Sequence, residues 1–250
     1  MLCRNCKTEN SEDAKHCFKC GMDFGESYKK IKYRRDLELP GKVNIALIAV
    51  MFIMSFIQGV MTYVVPGNFI SAIFGIVGLI ISLTIYSQWI GINNKLIDNT
   101  TEFFSGAISY FPEKEKYINY SLQELKSLRI SSAGLWLYGI FMFIFNFIIP
   151  SPLNATINLV LSVVGIVLFY LMARKILIAE EGIQRLSNGL FSHIASNYQR
   201  MHQIKPRNLI TVILLSIITV GIYFIYFLIK NSLEINEFVE AEYHNRTYYS

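Results

Sequence analysis

The chain has 250 residues, 53% of them apolar and 16% charged, with 23 Lys and Arg against 18 Asp and Glu and a mean hydropathy of +0.39. The charges leave three long stretches untouched, Val43 to Asn94, Ile130 to Ala173 and Asn208 to Ile229, while the rest of the chain carries an ordinary solvated-surface density. Such segregation excludes a soluble enzyme, a secreted disulfide scaffold and a disordered tail as descriptions of the whole chain. It implies an integral membrane protein whose first partner is the lipid bilayer.

At the N-terminus, Cys3-Arg-Asn-Cys6 is followed after ten residues by Cys17-Phe-Lys-Cys20-Gly21. Two residues between cysteines let a tight turn aim both sulfurs at one ion, and two such turns complete a tetrahedral four-sulfur site. Gly21 suits the close approach of backbone amides to the thiolates. Residues 1–25 here resemble the short zinc-ribbon domains, small and β-type, at the N-termini of many prokaryotic proteins. The expected metal ligands are Cys3, Cys6, Cys17 and Cys20, holding one structural Zn2+. A four-sulfur iron centre would use the same donors, although ribbons this short usually hold zinc. His16 reads as a surface residue, since four cysteines need no fifth donor. Disulfides conflict with the cytoplasmic placement derived below, and a redox dithiol leaves one knuckle unexplained. A piece of about 25 residues cannot bury enough core to fold without a metal.

Within residues 1–25, Arg4, Lys7, Lys15 and Lys19 balance Glu9, Glu12, Asp13 and Asp23, and four thiolates on one Zn2+ bring the net charge to −2. With no basic excess, nucleic acid is not the expected partner, and a protein-contact module or a structural cap fits better. Residues 26–42 form a basic juxtamembrane linker with Lys29, Lys30, Lys32, Arg34 and Arg35. It serves as a topology determinant and attracts anionic headgroups.

A hydrocarbon core takes about 20 apolar residues as a helix, so the first uncharged stretch accommodates two spans and their turn. Pro66-Gly67-Asn68 ends one helix and reverses the chain, which predicts a transmembrane hairpin over 43–90, Val43 to Val65 and Phe69 to Ile90. Pro150-Ser151-Pro152 divides the second stretch, 132–173, into spans Ser132 to Ile149 and Leu153 to Ala173. The third stretch predicts a single span over 209–229. The expected fold is therefore an all-α polytopic membrane bundle of about five transmembrane helices, two tight hairpins plus one, behind the ribbon. Residues 1–42 hold 10 Lys and Arg, 91–132 hold 5, 174–208 hold 6, 230–250 hold 2, and the tight turns none. Positive-inside bias places a multi-pass protein in the cell membrane with its N-terminus and both long loops cytoplasmic and, after an odd fifth span, its acidic tail 230–250 outside. If the fifth segment instead bends back at Gly221, the tail stays inside. No signal peptide is read in residues 1–42, so the first span acts as an uncleaved anchor.

The two cytoplasmic loops, 91–131 and 174–208, each contain an amphipathic stretch. Ile118, Leu122, Leu125 and Leu128 recur at helical spacing in the first, and Ile183, Leu186, Leu190, Ile194, Tyr198 and Met201 in the second. They lie on the membrane, pack under the bundle or bind a partner helix. Gly106 and Gly189 suggest a turn in each. Ser71, Gly75, Gly78 and Ser82 form a small-residue stripe, as do Ala155, Asn158, Ser162 and Gly165, and both are expected to pack the hairpins together. Sliding the chain by 84 residues superposes Val64-Val65-Pro66 on Ile148-Ile149-Pro150 and Tyr86 on Tyr170, which raises a parallel duplication as one reading.

No ionisable side chain lies within a predicted span, which opposes proton relays, ion-coupled carriers and intramembrane proteases. No catalytic constellation or phosphate-binding loop is found, no small-molecule substrate is identifiable, and no enzyme is expected. The run Ile213 to Phe227 with Thr219, Gly221, Tyr223 and Tyr226, followed by Lys230 and Leu233-Glu-Ile-Asn236, resembles the signature of an uncharacterised prokaryotic membrane domain of unknown function, often attached to a zinc ribbon. The resemblance implies architecture and no activity. The functional expectation is a non-enzymatic membrane protein presenting its ribbon for assembly with a protein partner or second copy, or for sensing. The alternative is a channel-like or uncoupled permease bundle with a regulatory ribbon, in which Gln58, Asn146 and Asn158 line a polar path.

Overall fold

The computed structural model describes residues 39–65, 69–144, 155–195, 200–219 and 221–249, together with Thr8, Glu9, Ser11, Lys19 and Tyr198. Apart from one bridged residue, Glu9, their regular structure is helical. The elements are α1 (Ala46–Val64), α2 (Phe69–Ala107), a 3-10 turn (Pro112–Lys114), α3 (Glu115–Ser127), α4 (Ala133–Phe143), α5 (Ala155–Ile194), α6 (Leu209–Ile218) and α7 (Ile222–Tyr249). The expected ribbon with Cys3, Cys6, Cys17 and Cys20, most of the basic linker, and both proline turns lie outside the described residues.

Two helices, α1 and α2, are long and apolar enough to cross a bilayer, and α4 and α6 are apolar but shorter. Most of the large apolar side chains of α1 face outward, among them Val50, Phe52, Ile53, Phe56 and Val60, and the first half of α2 exposes Phe69, Ile70, Ile73 and Ile80. In water such a belt would be costly at about 25 cal/mol per Å2, a cost that a lipid surrounding would remove.

The helices that carry the expected spans to Ile90 and Ala173 run on beyond those positions. α2 continues to Ala107 for 39 residues and α5 to Ile194 for 40. At 1.5 Å per residue each is about 60 Å long, twice a hydrocarbon core. Charge begins partway along these helices, and α2 continues even through Gly91, next to the expected end at Ile90. Their polar halves form, with α3 and the end of α7, a second part of the bundle whose core is continuous with that of the apolar part. Phe103 and Phe104 of α2 meet Phe191 of α5 at ring-centroid distances of 5.7 and 5.0 Å. Ile118, Leu122 and Leu125 of α3 and Ile183, Leu186 and Leu190 of α5 are buried, so both amphipathic stretches pack under the apolar bundle. Each such side chain stabilises by about 2 kcal/mol.

Ring, ion-pair and close side-chain contacts give the directions. α3 runs antiparallel to α5, with the Tyr117 ring centroid 3.8 Å from that of His193 and Arg185 bonded to Glu124 at 2.6 Å. α2 and α7 run parallel, Trp89 level with Ser232 and Thr100 level with Glu242. Gly106 does precede a helix end, but Gly189 lies within α5, where a Cβ would stand 2.9 Å from the Tyr117 hydroxyl. One member of each small-residue stripe packs inside its own hairpin. Gly78 faces Met54 and Ser55 of α1, and Gly165 faces Phe141 and Met142 of α4. The first hairpin meets α4 at Gly139, against Leu83.

Over 209–229 the chain forms two helices, α6 and the start of α7. Asn208 caps α6 through its Oδ1, which accepts from the Ile210 amide at 3.0 Å. After Ile218 the chain turns at Gly221, whose φ of +89° is the left-handed region that glycine tolerates best. Its N–H donates to the Ser216 carbonyl at 2.7 Å, and the Thr219 hydroxyl accepts from the Tyr223 amide at 2.9 Å, capping α7. α7 then returns beside α6, so that Asn231 lies opposite Arg207, at 2.6 Å. The bend-back alternative at Gly221 is the one the chain adopts. The tail, which a straight span would carry to the far end of the bundle, lies at the start of α1. Asn236 Oδ1 accepts from the Val43 amide at 2.7 Å, its Nδ2 donates to the Val43 carbonyl at 3.1 Å, and Lys42 pairs with Glu240.

Candidate functional site at the base of the C-terminal hairpin

Where α5 emerges from its apolar half, it faces the segment leading into α6. That segment, residues 200–208, has no regular secondary structure and is held by side-chain amides of α5. Gln184 exchanges two bonds with the backbone of Ile204, at 2.8 and 2.9 Å. Asn188 accepts from the Met201 amide at 2.8 Å and from the Tyr198 hydroxyl at 2.7 Å. Tyr198 and Met201 therefore do not extend the helical face on which their spacing placed them. Between α5 and residues 204–209 lies a cleft of ≈ 290 Å3 lined by Tyr170, Arg174, Ile178, Glu180, Lys205 and Arg207 among others.

The wall of this cleft is a buried polar chain. Arg207 donates to Asn231 Oδ1 at 2.6 Å and pairs with Glu234 at 2.7 Å, and its guanidinium lies 6.0 Å from the Phe227 ring centroid. Asn231 Nδ2 donates onward to both Glu180 oxygens, at 3.1 and 3.3 Å. Glu234 also accepts from the Lys205 amide at 3.2 Å and lies 3.8 Å from Lys230. Burial pushes the Glu180 carboxyl up to about 8, against the opposing pull of Asn231, Asn93 and Arg207. Glu180 is therefore largely neutral at pH 7, and the cleft keeps Arg174, Lys205 and Arg207 against Glu181 and Glu234.

A second buried pair lies further out. Glu242 and Arg246 of α7 form an i,i+4 ion pair, and Thr100 of α2 donates to Glu242 at 2.9 Å. Burial raises the Glu242 carboxyl, opposed by Arg246 and Thr100. Trp89 Nε1 donates to Ser232 at 3.0 Å. These bonds fix α7 to α2 in register.

No motif in the amino-acid sequence points to Glu180, Arg207, Asn231 or Glu234, because charges at the edge of an apolar block read as solvated. One signal is present. Ile176, Glu180 and Ile183 share a helical face at spacings of four and three, which puts the carboxyl on the core side of α5. Among the described residues no group of acidic, His and Cys side chains is arranged to hold a metal ion.

Residues 207–249 match a family described as a domain of unknown function, DUF4234. The matched stretch opens at Arg207 and covers α6, the Gly221 turn and α7, so the uncharacterised domain coincides with the bent-back hairpin and its tail. No curated protein and no solved structure matches the chain.

Proposed function

We propose that this is a non-enzymatic, multi-pass membrane protein that presents a structural zinc ribbon on the cytoplasmic face for protein assembly or sensing. Segments 43–65, 69–90, 132–149 and 153–173 cross the bilayer, and the α6–α7 hairpin enters it from the cytoplasmic side without crossing. The Lys and Arg distribution supports the orientation, and the exposed apolar belt supports the membrane. Both ends of the chain are then cytoplasmic.

The observation that carries this reading is the clamp of Val43 on Asn236. It brings Val43, directly after the basic linker 26–42, to the polar half-bundle, the side on which this reading presents the ribbon. Cys3, Cys6, Cys17 and Cys20 supply four thiolates to one Zn2+, whose role is to fold the ribbon. The purified full chain should hold one zinc per chain by elemental mass spectrometry, and Cys17→Ser/Cys20→Ser should lose it. In-cell crosslinking of the two forms at matched membrane level should recover a cytosolic protein only with intact cysteines. Equal recovery from both would sink the docking role.

The re-entrant hairpin favours a second reading, a channel-like or uncoupled permease bundle, because backbone breaks at membrane depth occur where protein or a water-filled path surrounds them. Solute flux in proteoliposomes that is lost on Asn158→Leu would select it.

A further inference from the structure

The exposed face of α5 runs Val163, Val167, Leu171, Arg174, Ile178, at helical spacings of four, four, three and four. It is apolar along the bilayer half and ends at the cleft, where Arg174 and Ile178 are lining residues. Across the cleft stand Lys205 and Arg207, and above them α6 presents the exposed stripe Ile210, Leu214 and Ile217. Two aliphatic faces therefore converge on one basic recess, at the depth where the helices leave the hydrocarbon core.

The cations are not equivalent. Arg207 is committed to Asn231 and Glu234. Arg174 lies 6.0 Å from the Tyr170 ring centroid, and the Lys205 ammonium has no ion-pair partner among the described residues. Asn208 caps the start of α6 at the same recess, and an uncrossed helix N-terminus adds partial positive charge. An acyl chain against the aliphatic stripes would place a phosphate within this group of charges, with Arg174 and Lys205 as its counter-ions.

We propose that the cleft between α5 and the base of the α6–α7 hairpin binds the phosphate of an anionic phospholipid whose acyl chains lie along the exposed stripes of α5 and α6. The lipid would wedge the hairpin against α5, a junction with little direct helix contact. The proposal rests on the membrane reading above.

The test is native mass spectrometry of the full chain in detergent, titrated separately with phosphatidylglycerol, phosphatidylcholine and inorganic phosphate. One tightly retained phosphatidylglycerol is expected, with affinity falling roughly twenty-five-fold in Arg174→Gln/Lys205→Gln, from about fivefold per basic residue at an anionic headgroup. Lys116→Gln/Lys126→Gln, which removes two exposed cations from α3, should leave it unchanged. Equal retention of phosphatidylcholine, unchanged affinity in Arg174→Gln/Lys205→Gln, or displacement of the lipid by millimolar inorganic phosphate would each overturn the proposal, the last by identifying a soluble anion as the ligand. Extraction of the chain from membranes without detergent would overturn the membrane reading as well.

Discussion

Replacing Glu180 by Gln isolates the energetics of the cleft wall. The carboxyl is buried, 2% exposed, and its value is raised from the ordinary 4.5 to about 8. A displacement of that size corresponds to roughly 5 kcal/mol between the protonation states, as an upper estimate. Because the folded value is the higher one, the unfolded chain releases this proton first. The contribution is fully present below pH 4.5, declines through the interval from 4.5 to about 8, and is lost above it. Glutamine keeps the shape and an oxygen for Asn231 without ever charging. Glu180→Gln should therefore match the native chain at pH 4.5 and exceed it increasingly toward pH 9, by a Tm difference on the order of 10 °C. Thermal unfolding of the full chain in one detergent across this range reads the effect. A difference between the two proteins that stays constant with pH would refute the assignment of a neutral, desolvated carboxyl, because a merely structural loss does not titrate.

Two further substitutions probe the helix junctions. At Gly221, φ of +89° makes Ala cost about 1–2 kcal/mol while Asn costs less, so Gly221→Ala should lower Tm more than Gly221→Asn; equal effects would contradict the turn. At Gly139 an added Cβ would stand 2.8 Å from Leu83 Cδ1, so Gly139→Ala should cost about 1–3 kcal/mol. Leu83→Ala in the same chain should recover part of that loss, and a double-mutant cycle with no coupling would remove α4 from this contact.

The apolar architecture was legible from charge alone, since the uncharged stretches contain α1, α4 and α6 and the outer halves of α2 and α5. Burial of Ile118, Leu122 and Leu125, and of Ile183, Leu186 and Leu190, followed from helical spacing. What could not be read was continuity. The onset of charge at Lys95 and Arg174 does not mark where a helix stops: α2 runs through Gly91 and α5 meets no Gly or Pro at that point, so both helices continue into their polar halves. The third apolar stretch has span length, and only the left-handed turn at Gly221 separates a crossing from a bend. The polar chain from Glu180 through Asn231 and Arg207 to Glu234 depends on three segments distant in sequence, so no local pattern encodes it. The four cysteines were expected to form a metal set on their spacing, and they lie outside the described residues.

The most direct test of the re-entrant arrangement is the side of the membrane on which residue 250 lies. A green fluorescent protein joined there should fluoresce, and alkaline phosphatase joined there should be inactive, while the same reporters placed in the Pro66-Gly67-Asn68 turn should give the reverse pattern. Active phosphatase after residue 250 would mean that 209–229 crosses the bilayer, and the clamp between Asn236 and Val43 could not then exist.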